Sequence, residues 1–570
     1  MCKGTTFEEW QARCIEHLLR IGNTRAVLLI VDDAVASSSA FQTLKRVAKK
    51  TSSTRLMFDV YNRFFFKSHA TRSVNIAQFL SRTTILRCRT VRVGRYSEYF
   101  TEQDVQTIRK FKLDFIIRFA FGIIRGEILR AARYGVWSFH HDDEEKYRGT
   151  PPGFWEIYNG DNVTEAILQR LTDRLDAGVV LKKGFLKTIH YSYPRNRDSI
   201  SYESARWPAQ VCVDIRNGSA AYLNDAPSRT NAPIMRSPNN TQFIIFSLKV
   251  FRDAAIRICR FLFRHEKWNI GIVASPITAF LNPEVKPRIH WLPQTRSNGF
   301  LADPFGIFKD DKLTILCEDF DYRTTKGMIS SVESAQTARP LIRPAIVLPV
   351  HMSYPYLIVF EGEIYCIPET ANAREVALFK AVEFPNRWVR VALLIRDFPG
   401  VDCTVFRHNG LWWLFCVNRD RGDHALYVWH AKDLIGPWKP HSSNPVKIDI
   451  RSGRPAGTPF IHKGYLIRPA QDSSRAYGGS IVLNRVTRLT TTEFREEPIA
   501  RVEADPEGPF PDGLHTLSAV GDFTLIDGKR FGLSLTALWH SFARLRFDTS
   551  TQHIHEQSLS MTEQFLEHSH

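Results

Sequence analysis

The sequence predicts two domains of different class, an α/β Rossmann-like domain followed by an all-β five-bladed β-propeller. Strands alternate with helices in the first part of the chain, strand–turn–strand units recur in the last part, and a polar segment separates the two. The chain has 570 residues, more than one hydrophobic core usually organises. We therefore divide it into a first domain over 22–225, a linker with a docking helix over 226–290, and a propeller over 291–545.

The first domain alternates short apolar runs with helical segments. "RAVLLIVDD" (25–33) predicts a buried parallel strand, and "TEQDVQTIRKFK" (101–112) predicts a helix that begins at a Thr cap. "LDFIIRFAFG" (113–122) and "VWSFH" (136–140) predict two further strands. Ligands of such sheets bind beyond the carboxyl ends of the strands, so the functional residues are expected near and after the end of "VWSFH".

Residues 226–241 are rich in Pro, Ser and Asn and predict a linker. The next segment, 243–268, is apolar on one face and basic on the other. This pattern predicts a helix that docks the two halves, and a helix lying on a membrane surface is the alternative.

Five segments after Arg296 share a polar or small first residue, a strand, a tight turn and a second strand. Their period of about 50 residues is typical of a β-propeller, and unrelated hairpins of a β-sandwich are the alternative. The first strand of each blade lines the propeller axis, so the first residues should face one funnel. These residues are Asp303, Tyr354, Asp402, Thr458 and His515.

The composition limits the kinds of partner that the protein is expected to bind. A net charge of +17 indicates either a basic, solubilising surface or attraction to an anionic partner, such as a phosphorylated or nucleotide-linked substrate. The sequence contains no compact Lys/Arg run, so we expect no nucleic-acid partner. The nine cysteines form no CxxC pair, which predicts reduced thiols and a cytoplasmic location. No stretch is long and apolar enough to span a membrane.

The end of "VWSFH" and the acidic residues that follow it are a candidate metal site. His140 and His141 are adjacent on a strand, so their side chains point to opposite faces and cannot easily share one ion. The four acids at 142–145 lack the interleaved Gly or Asn of a calcium-binding loop. We therefore expect no metal, and we predict that the acids form a solvated loop or, as the alternative, attract a cationic amine.

Residues 22–220 resemble the folate-dependent formyltransferases, a family that includes methionyl-tRNA formyltransferase and the amino-sugar N-formyltransferases. The resemblance rests on an ordered series of motifs rather than on any one of them. The matching residues are Gly122 in "FGIIRGEILRAARYG", then Tyr147, Arg148 and Gly149, Pro151 and Pro152, Trp155, Asn159 to Asp161, and Leu175, Asp176 and Gly178. The resemblance implies transfer of a formyl group from 10-formyltetrahydrofolate to an amine of a small-molecule or sugar-like acceptor.

The same resemblance implies roles for individual residues. His140 matches a histidine that hydrogen-bonds the carbonyl oxygen and exchanges protons, and Asp176 matches an aspartate that orients it. Ser138 stands where the family has asparagine, and loss of one oxyanion donor costs on the order of 10²–10³ in rate. The residues expected to bind the folate are Tyr147, Arg148, Gly149, Gly122 and Gly178.

Residues 265–540 resemble the N-terminal region of plant glucosamine inositolphosphorylceramide transferases, in segments such as "NGFLADPFGIFKDDKLTILCEDF" and "SGRPAGTPF". That region is similar in turn to five-bladed glycoside hydrolases, in which Asp303 would match the base and Asp402 the residue that tunes the acid. Glu369 is a further funnel candidate but is expected at the outer end of the second strand of its hairpin, so no residue is a convincing general acid and we favour glycan binding over hydrolysis. Arg454 and His515 are expected to hold a phosphate or a sugar hydroxyl.

Two functional hypotheses follow from the sequence. In the first, the formyltransferase-like domain formylates an amine on a carbohydrate-like acceptor, anionic or nucleotide-linked, that the propeller binds. In the alternative, the formyltransferase-like domain is catalytically degenerate, and the propeller is a glycan-binding or glycosidase-like module.

Overall fold

The computed structural model describes residues 1–33, 53–94, 97–174, 178–282, 284, 287–293, 298–309, 312–333 and 340–533. The chain divides into two compact units. Unit 1 consists of Met1–Ala254, Ser442–Ile450 and Thr490–Glu493, and unit 2 consists of Ala255–His441, Arg451–Leu489 and Phe494–His570.

Unit 1 contains short strands and six helices of its own within the described residues, and a seventh helix runs from unit 1 into unit 2. The helices are α1 Glu9–Arg20, α2 Leu56–Val60, α3 Glu102–Lys110, α4 Trp155–Asn159, α5 Tyr193–Ser204, α6 Trp207–Arg216 and α7 Asn240–Phe263. The strands up to residue 235 are β1 Thr6–Glu8, β2 Leu28–Asp32, β3 Ser73–Asn75, β4 Thr84–Cys88, β5 Val91–Val93, β6 Ser97–Tyr99, β7 Ile116–Arg118, β8 Ile123–Arg125, β9 Val136–His140, β10 Arg148–Gly149, β11 Val163–Arg170, β12 Val179–Lys187 and β13 Ile234–Met235.

The local sequence signals of unit 1 are confirmed. The strand β9 has the predicted bounds, and β2 lies within the predicted apolar run. Helix α3 begins after Thr101, whose side chain accepts a hydrogen bond from the Asp104 N–H at 3.1 Å. The predicted strand over 113–122 is reduced to β7, because the chain turns after Arg118 and continues as β8.

Parallel pairing occurs among the described residues of unit 1 in four separate sheets, through the pairs β2–β4, β6–β8, β7–β9 and β10–β13. The largest sheet has the order β12-β11-β9-β7, in which β11 is antiparallel to both of its neighbours. Among the described residues these pieces do not join into one sheet, so a Rossmann-like sheet stays a prediction. The ends of β7 and β9 nevertheless lie side by side, which places Arg118 opposite Ser138.

Helix α7 begins on unit 1. Phe243 and Phe246 are buried, and the ring of Phe246 stacks on that of Phe154 with centroids 4.1 Å apart. Leu248 and Phe251 are exposed on another side of the helix. Among the described residues, no helix combines the length and the apolar character that crossing a bilayer requires.

Unit 2 is built mostly from β-strands that pair as antiparallel sheets. Its strands are β14 Arg264–Val273, β15 Ile289–Trp291, β16 Gly299–Lys309, β17 Lys312–Asp321, β18 Lys326–Glu333, β19 Leu341–Ile346, β20 Ser353–Phe360, β21 Glu363–Glu369, β22 Val376–Glu383, β23 Arg387–Ile395, β24 Gly400–His408, β25 Leu411–Asn418, β26 Ala425–Ala431 and β27 Lys439–Pro440. After β28 Lys447–Ile448, which belongs to unit 1, follow β29 Phe460–His462, β30 Tyr465–Asp472, β31 Ser480–Leu489, β32 Phe494–Glu503, β33 Leu517–Val520 and β34 Phe523–Leu533.

The order of these strands matches the recurring units seen in the sequence. Four sheets each use four successive strands, namely β16–β19, β20–β23, β24–β27 and β29–β32. A fifth sheet, β15-β14-β34-β33, combines the first and the last strands of the unit. β14 pairs with β34 from Arg264 to Val273. Consecutive four-stranded sheets with one sheet made from both ends are the arrangement expected of a five-bladed propeller.

Three of the predicted funnel residues share one unusual backbone conformation. Asp303, Tyr354 and Asp402 have positive φ angles of 52°, 45° and 52°. Each lies on the first strand of its sheet at a shift in pairing register with the second strand. Positive φ is unfavourable for residues other than glycine, and a bulge re-aims the side chain that it carries. The three residues therefore occupy equivalent positions in successive sheets, as the sequence repeats indicate.

Candidate functional site

The first candidate site lies at the end of β9 in unit 1. The Ser138 hydroxyl is buried and accepts hydrogen bonds from Nε and Nη2 of Arg118, at 3.1 and 2.8 Å. The Nη1 atom of Arg118 donates to the carbonyl oxygens of Phe121 and Gly122, at 3.2 and 2.7 Å. The turn after β7 therefore fixes a guanidinium group beside Ser138. Sequence reasoning missed Arg118, although a single cation inside the apolar run "FIIRFAFG" is a signal for it.

The predicted Tyr-Arg-Gly turn returns to the end of this strand. Nε2 of His140 lies 3.4 Å from the carbonyl oxygen of Tyr147. The Tyr147 hydroxyl donates to Asp161 and accepts from the side-chain amide of Asn159 at 2.8 Å. Burial, together with the Asp161 carboxylate, raises the pKa of Tyr147. The structure thus brings His140, the turn and the Asn-Gly-Asp segment together.

Arg148 and Gly149 fix the position of the backbone around residues 232–235. As β10 they pair in parallel with β13, and the Nε of Arg148 donates to the Ala232 carbonyl at 2.7 Å. Gly149 has a φ of 111°, and a Cβ at this position would lie 2.2 Å from the Met235 carbonyl oxygen. These two residues therefore shape the site by fixing the segment around residue 232.

The other two glycines expected at the folate site also make close backbone contacts. The Gly122 N–H donates to Glu98 at 2.8 Å, and the Gly178 N–H donates to the side chain of Gln169 at 3.2 Å. Gln169 pairs with Ser138 across β11 and β9. Asp176, with its neighbours 175 and 177, lies outside the described residues, so its meeting with His140 stays a prediction.

The prediction of a solvated acidic loop at 142–145 is wrong for two of its four residues. Asp142 and Glu144 are buried, and Asp142 accepts a hydrogen bond from the Gly153 N–H at 2.8 Å. Burial raises the pKa of Asp142 well above its usual range, against the opposing effect of that hydrogen bond. His141 is buried too, with its Nε2 2.8 Å from the Ser204 hydroxyl, and burial lowers the pKa of His141. It is a neutral, structural histidine.

A buried acid that the sequence did not single out lies behind this loop. Glu156 is fully buried, and neither of its carboxylate oxygens has a hydrogen-bond partner within the described residues. Burial and the nearby Asp142 carboxyl raise the pKa of Glu156 well above its usual range. The surroundings of Glu156 therefore favour its protonated form.

The second candidate site is a buried cluster in unit 2. The Asp527 carboxylate accepts hydrogen bonds from the backbone N–H groups of His515, Thr516 and Asp303 at 2.8, 3.0 and 3.2 Å. The His515 ring lies between two carboxylates, with Nδ1 2.6 Å from Asp527 and Nε2 3.7 Å from Asp303. Burial alone would lower the pKa of His515, but the two carboxylates raise it overall. The two carboxylates therefore favour the protonated form of the imidazole.

The same three side chains are the candidate ligands for a metal ion. Asp303, His515 and Asp527 offer ligand atoms that all lie within 4.8 Å of one another. Binding of an ion there requires that His515 lose a proton, because a protonated imidazole has no lone pair for a metal. The raised pKa of His515 opposes that step.

Asp402 forms the other half of the cluster. Arg454 donates to both of its carboxylate oxygens, at 2.6 and 3.3 Å, and Gln471 donates at 2.7 Å. Arg454 also contacts Asp423 at 2.7 Å and the Tyr477 hydroxyl at 3.3 Å. Protein carboxylates therefore occupy the Arg454 guanidinium group, and binding of a phosphate or a sugar hydroxyl by Arg454 stays a prediction.

Glu369, which was named among the funnel residues, contacts Asp402 and does not lie at the outer end of its hairpin. Its strand β21 runs antiparallel to β20, so Glu369 pairs with Ser353, the first residue of β20. Oε2 of Glu369 accepts a hydrogen bond from the Asp402 N–H at 3.4 Å. Burial and the Asp402 carboxylate raise the pKa of Glu369 to about 8, and Arg454 partly offsets this.

The carboxyl groups of this cluster consequently differ in protonation at neutral pH. Burial raises the pKa of Asp303 to about 6, with His515 acting in the opposite direction and Asp402 adding to the increase. Glu369, with a pKa of about 8, is mostly protonated at pH 7, whereas Asp303 is mostly ionised. Two carboxyls with separated pKa values are the arrangement that acid–base chemistry on a glycosidic bond requires.

Aromatic side chains and a lysine surround the His515 side of the cluster. The ring of Trp268 stacks on His515 with centroids 4.0 Å apart, and the ring of Tyr477 meets it edge-on at 5.3 Å. Nζ of Lys529 donates to the Tyr477 carbonyl oxygen and lies 5.1 Å from the Trp268 ring, and burial lowers the pKa of Lys529 to about 8. Sequence reasoning missed Trp268, Tyr477, Asp527 and Lys529.

The other two predicted funnel residues, Tyr354 and Thr458, form hydrogen bonds to neighbouring strands and loops. The buried Tyr354 donates its backbone N–H to Asp303 at 3.2 Å, and its hydroxyl accepts from the Gly457 N–H at 2.6 Å. The Thr458 side chain accepts from the Ala519 N–H at 3.3 Å.

Comparison with known proteins finds two groups of relatives. The family model of the N-terminal region of glucosamine inositolphosphorylceramide transferase 1 matches residues 266–507. The transferase of that name from Oryza sativa subsp. japonica is 33% identical over 210 residues, which is 35% of this chain and 28% of the relative. The one from Arabidopsis thaliana is 31% identical over 221 residues, 37% of this chain and 29% of the relative. The chain thus spans less than a third of the length of these plant proteins.

A second group of relatives consists of methionyl-tRNA formyltransferases. The enzyme of Agathobacter rectalis is 32% identical over 124 residues, 21% of this chain and 39% of the relative. That of Prochlorococcus marinus is 34% identical over 88 residues, 15% of this chain and 26% of the relative. The chain therefore joins a stretch similar to formyltransferases to a region similar to the N-terminal part of a glycosyl transferase.

Among solved structures, the chain is similar to glycoside hydrolases. A thermostable family-43 glycoside hydrolase gives a TM-score of 0.30 at 12% identity, over 40% of this chain and 85% of that one. A family 117 glycoside hydrolase from Zobellia galactanivorans gives a TM-score of 0.32 at 13% identity, over 48% of this chain and 92% of that chain.

Proposed function

We propose that unit 1 transfers a formyl group from 10-formyltetrahydrofolate to an amine at the end of β9. The observation that carries this proposal is the pair of hydrogen bonds from the Arg118 guanidinium to the Ser138 hydroxyl, beside His140. The similarity of part of the chain to methionyl-tRNA formyltransferases supports it. So does the return of the Tyr-Arg-Gly turn to His140.

In this proposal, Ser138 and Arg118 together provide the hydrogen-bond donor to the oxyanion that the asparagine provides in the formyltransferase family. When the amine nitrogen attacks the formyl carbon, the formyl oxygen becomes an oxyanion that needs a positioned donor. Arg118 donates to the Ser138 oxygen twice, so the hydroxyl proton of Ser138 is free to point away from Arg118. A hydrogen bond from a cation also makes that hydroxyl a stronger donor.

His140 and Asp176 then manage the protons, as the resemblance implies. One C–N bond forms between the acceptor nitrogen and the formyl carbon, and the bond from that carbon to the folate nitrogen breaks. The acceptor nitrogen loses one proton and the departing folate nitrogen gains one, so the reaction is balanced without a metal or a redox partner. The imidazole of His140 is the group suited to take and return that proton.

We further propose that the acceptor is a carbohydrate-like amine, anionic or nucleotide-linked, which unit 2 binds. The similarity of unit 2 to part of a protein named glucosamine inositolphosphorylceramide transferase supports a sugar-like ligand. The net charge of +17 favours an anionic one. A cytoplasmic location fits the nine free cysteines.

The test is to supply the full chain with 10-formyltetrahydrofolate and a panel of amino sugars and to detect formamide by mass spectrometry. His140→Ala should abolish the product, while His69→Ala, a change at an exposed histidine of the same unit, should leave it unchanged. Absence of both formamide and folate binding in the unmodified protein would refute the proposal.

A second function is favoured by the protonation of Glu369. Its pKa of about 8 makes it a general acid beside Asp402, and Asp303 with a pKa of about 6 makes a base. Unit 2 then cleaves or binds a glycan, and unit 1 is catalytically degenerate. Calorimetry separates the hypotheses: binding of tetrahydrofolate weakened by His140→Ala supports the first, and binding of glycans alone, lost in Asp303→Ala, supports the second.

A further inference from the structure

Two helical segments of unit 1 expose large apolar side chains. The first is α2, which continues as one turn of π-helix over Tyr61–Phe65, and the second is the part of α7 that belongs to unit 1. Phe64 and Phe65 are each 66% exposed, and Phe251 is 75% exposed. We call the exposed apolar residues of these segments the apolar patch: Leu56, Met57, Val60, Phe64, Phe65, Ile244, Ile245, Leu248 and Phe251. A concentration of this kind on a folded surface marks an interaction site.

The two segments lie side by side in unit 1. The Met57 N–H donates to the side-chain oxygen of Asn240 at 3.1 Å. The ring of Phe243 lies 5.7 Å from that of Phe58 and 5.3 Å from that of Tyr61, measured between centroids. These contacts hold α2 against the first turn of α7, so the exposed residues of both segments belong to one surface.

Helix α7 is apolar on two of its sides. Phe243 and Phe246 are buried on the first side. Ile244, Leu248 and Phe251 recur at intervals of four and three residues, so they share a second side, which is exposed. Because successive residues are about 100° apart around a helix, this second side adjoins the side on which α2 packs. Packing within unit 1 therefore explains the first side and leaves the second unexplained.

The charged residues of the two segments are mostly basic. Residues 53–67 and 240–254 contain five lysines and arginines and two aspartates. Arg63 and Lys67 are exposed and directly flank the three phenylalanines at 64–66. Arg252 follows Phe251 and donates to Asp253 at 2.9 Å. Apolar side chains with a basic border complement a surface that is apolar inside and negative outside, which describes a bilayer with anionic lipids.

A second copy of this chain fits the apolar patch less well. Contacts between identical subunits are usually symmetric, so the same surface of each copy would face the other. Arg63 and Lys67 of one copy would then approach the same two residues of the other, and like charges brought together at an interface are unfavourable. The charge of the border therefore favours a negative partner over a second copy.

We propose that the apolar patch binds unit 1 to the surface of a membrane that contains anionic lipids. The exposed phenylalanine, leucine and isoleucine side chains enter the boundary between headgroups and acyl chains, and the basic residues contact the negative headgroups. The first half of α7 then lies along the membrane surface and does not cross the bilayer. This binding goes beyond formyl transfer and does not depend on it, so either proposal can fail without the other.

The experiment measures flotation of the full chain with vesicles. One set of vesicles contains phosphatidylcholine alone, and the other also contains phosphatidylserine. Phe64→Ser combined with Phe65→Ser removes two exposed rings, Phe251→Ser removes one from α7, and Arg63→Ala combined with Lys67→Ala removes charge from the border. All five side chains are exposed, so we expect the variants to unfold at the same temperature as the unmodified chain.

We expect the unmodified chain to bind vesicles with phosphatidylserine at low salt and to bind them more weakly at high salt. Each double variant should weaken this binding by about 10-fold or more, and Phe251→Ser should weaken it to a smaller extent. The matched control is Val359→Ser, a change at an exposed valine of unit 2, which should leave the binding unchanged.

Three results would overturn the proposal. The first is equal binding of the unmodified chain to both kinds of vesicle, and the second is equal binding by the unmodified chain and all three variants. The third is self-association in sedimentation velocity that Phe64→Ser with Phe65→Ser abolishes while vesicle binding is unchanged, because a second copy would then cover the apolar patch.

Discussion

The guanidinium of Arg118 donates two hydrogen bonds to the hydroxyl of Ser138, across the ends of two parallel strands. Serine alone is a poor substitute for the asparagine of formyltransferase-like sites, because its side chain is shorter. The Arg118 guanidinium compensates for this, because its hydrogen bonds to the Ser138 oxygen polarise the hydroxyl and fix its orientation. The departure from the family pattern at residue 138 is therefore compatible with formyl transfer.

Arg118→Ala should lower the rate of formyl transfer by about 10²–10³, the usual cost of one oxyanion donor. Arg118→Lys should recover part of the rate, because an ammonium group restores the charge but only one of the two hydrogen bonds. The measurement is the rate at saturating donor. Arg109→Ala, which removes an arginine that pairs with Glu127 on the surface, is the control and should not affect the rate.

Glu156 should make unit 1 less stable as the pH rises. Its pKa in the folded state is raised by burial, so its contribution is fully present below its ordinary pKa, near 4.5, and declines above that value because only the unfolded chain releases the proton. One such proton corresponds to about 1.4 kcal/mol per pH unit. Glu156→Gln should therefore flatten the decline in urea stability between pH 5 and pH 8.

The control for that experiment is Glu145→Gln, whose side chain is 76% exposed. It should leave the slope of stability against pH unchanged. An identical slope in Glu156→Gln and the unmodified chain would mean that Glu156 is ionised in the folded protein.

Acid–base activity of unit 2 on glycans should be greatest between pH 6 and pH 8. Asp303, with a pKa of about 6, must be ionised, and Glu369, with a pKa of about 8, must be protonated. Activity should fall below the first value and above the second. Hydrolysis of aryl glycosides across pH measures this, and Glu369→Gln should remove the activity. A profile that rises steadily to pH 10 would exclude Glu369 as the acid.

Arg454→Met should destabilise unit 2 by about 3–5 kcal/mol, because it leaves the buried Asp402 carboxylate without its main partner. Adding Asp402→Asn should restore much of the loss, since the uncompensated charge is then gone. Urea unfolding of the two single variants and the double variant measures the coupling. Additive effects of the two changes would show that the ion pair between Arg454 and Asp402 contributes little to the free energy of unfolding.

The parts of the fold that local chemistry determines could be predicted from the sequence. The Thr101 cap, the strand β9 and the five strand–turn–strand units depend on neighbouring residues, and the structure has the cap, β9 and the two paired strands of each unit. The alignment of Asp303 with Asp402 was also predictable, because equivalent positions of a repeat take the same backbone conformation.

The parts that depend on distant residues could not be predicted. Asp142 lies in an acidic run that looks solvated, and only its bond to the Gly153 N–H shows that it is buried. Asp527 carries no local signal, since it acts through backbone groups of residues 303 and 515. Glu369 was misplaced because its position follows from how β21 returns beside β20.

Transfer of an isotopic label tests the central claim most directly. The full chain is mixed with 10-formyltetrahydrofolate carrying ¹³C in the formyl group and with an amino-sugar acceptor, and the label is followed by NMR. We expect a ¹³C-formamide signal on the acceptor that disappears in His140→Ala and is much weaker in Arg118→Ala. Label that stays on the folate with every acceptor, or transfer that proceeds unchanged in both variants, would contradict the account.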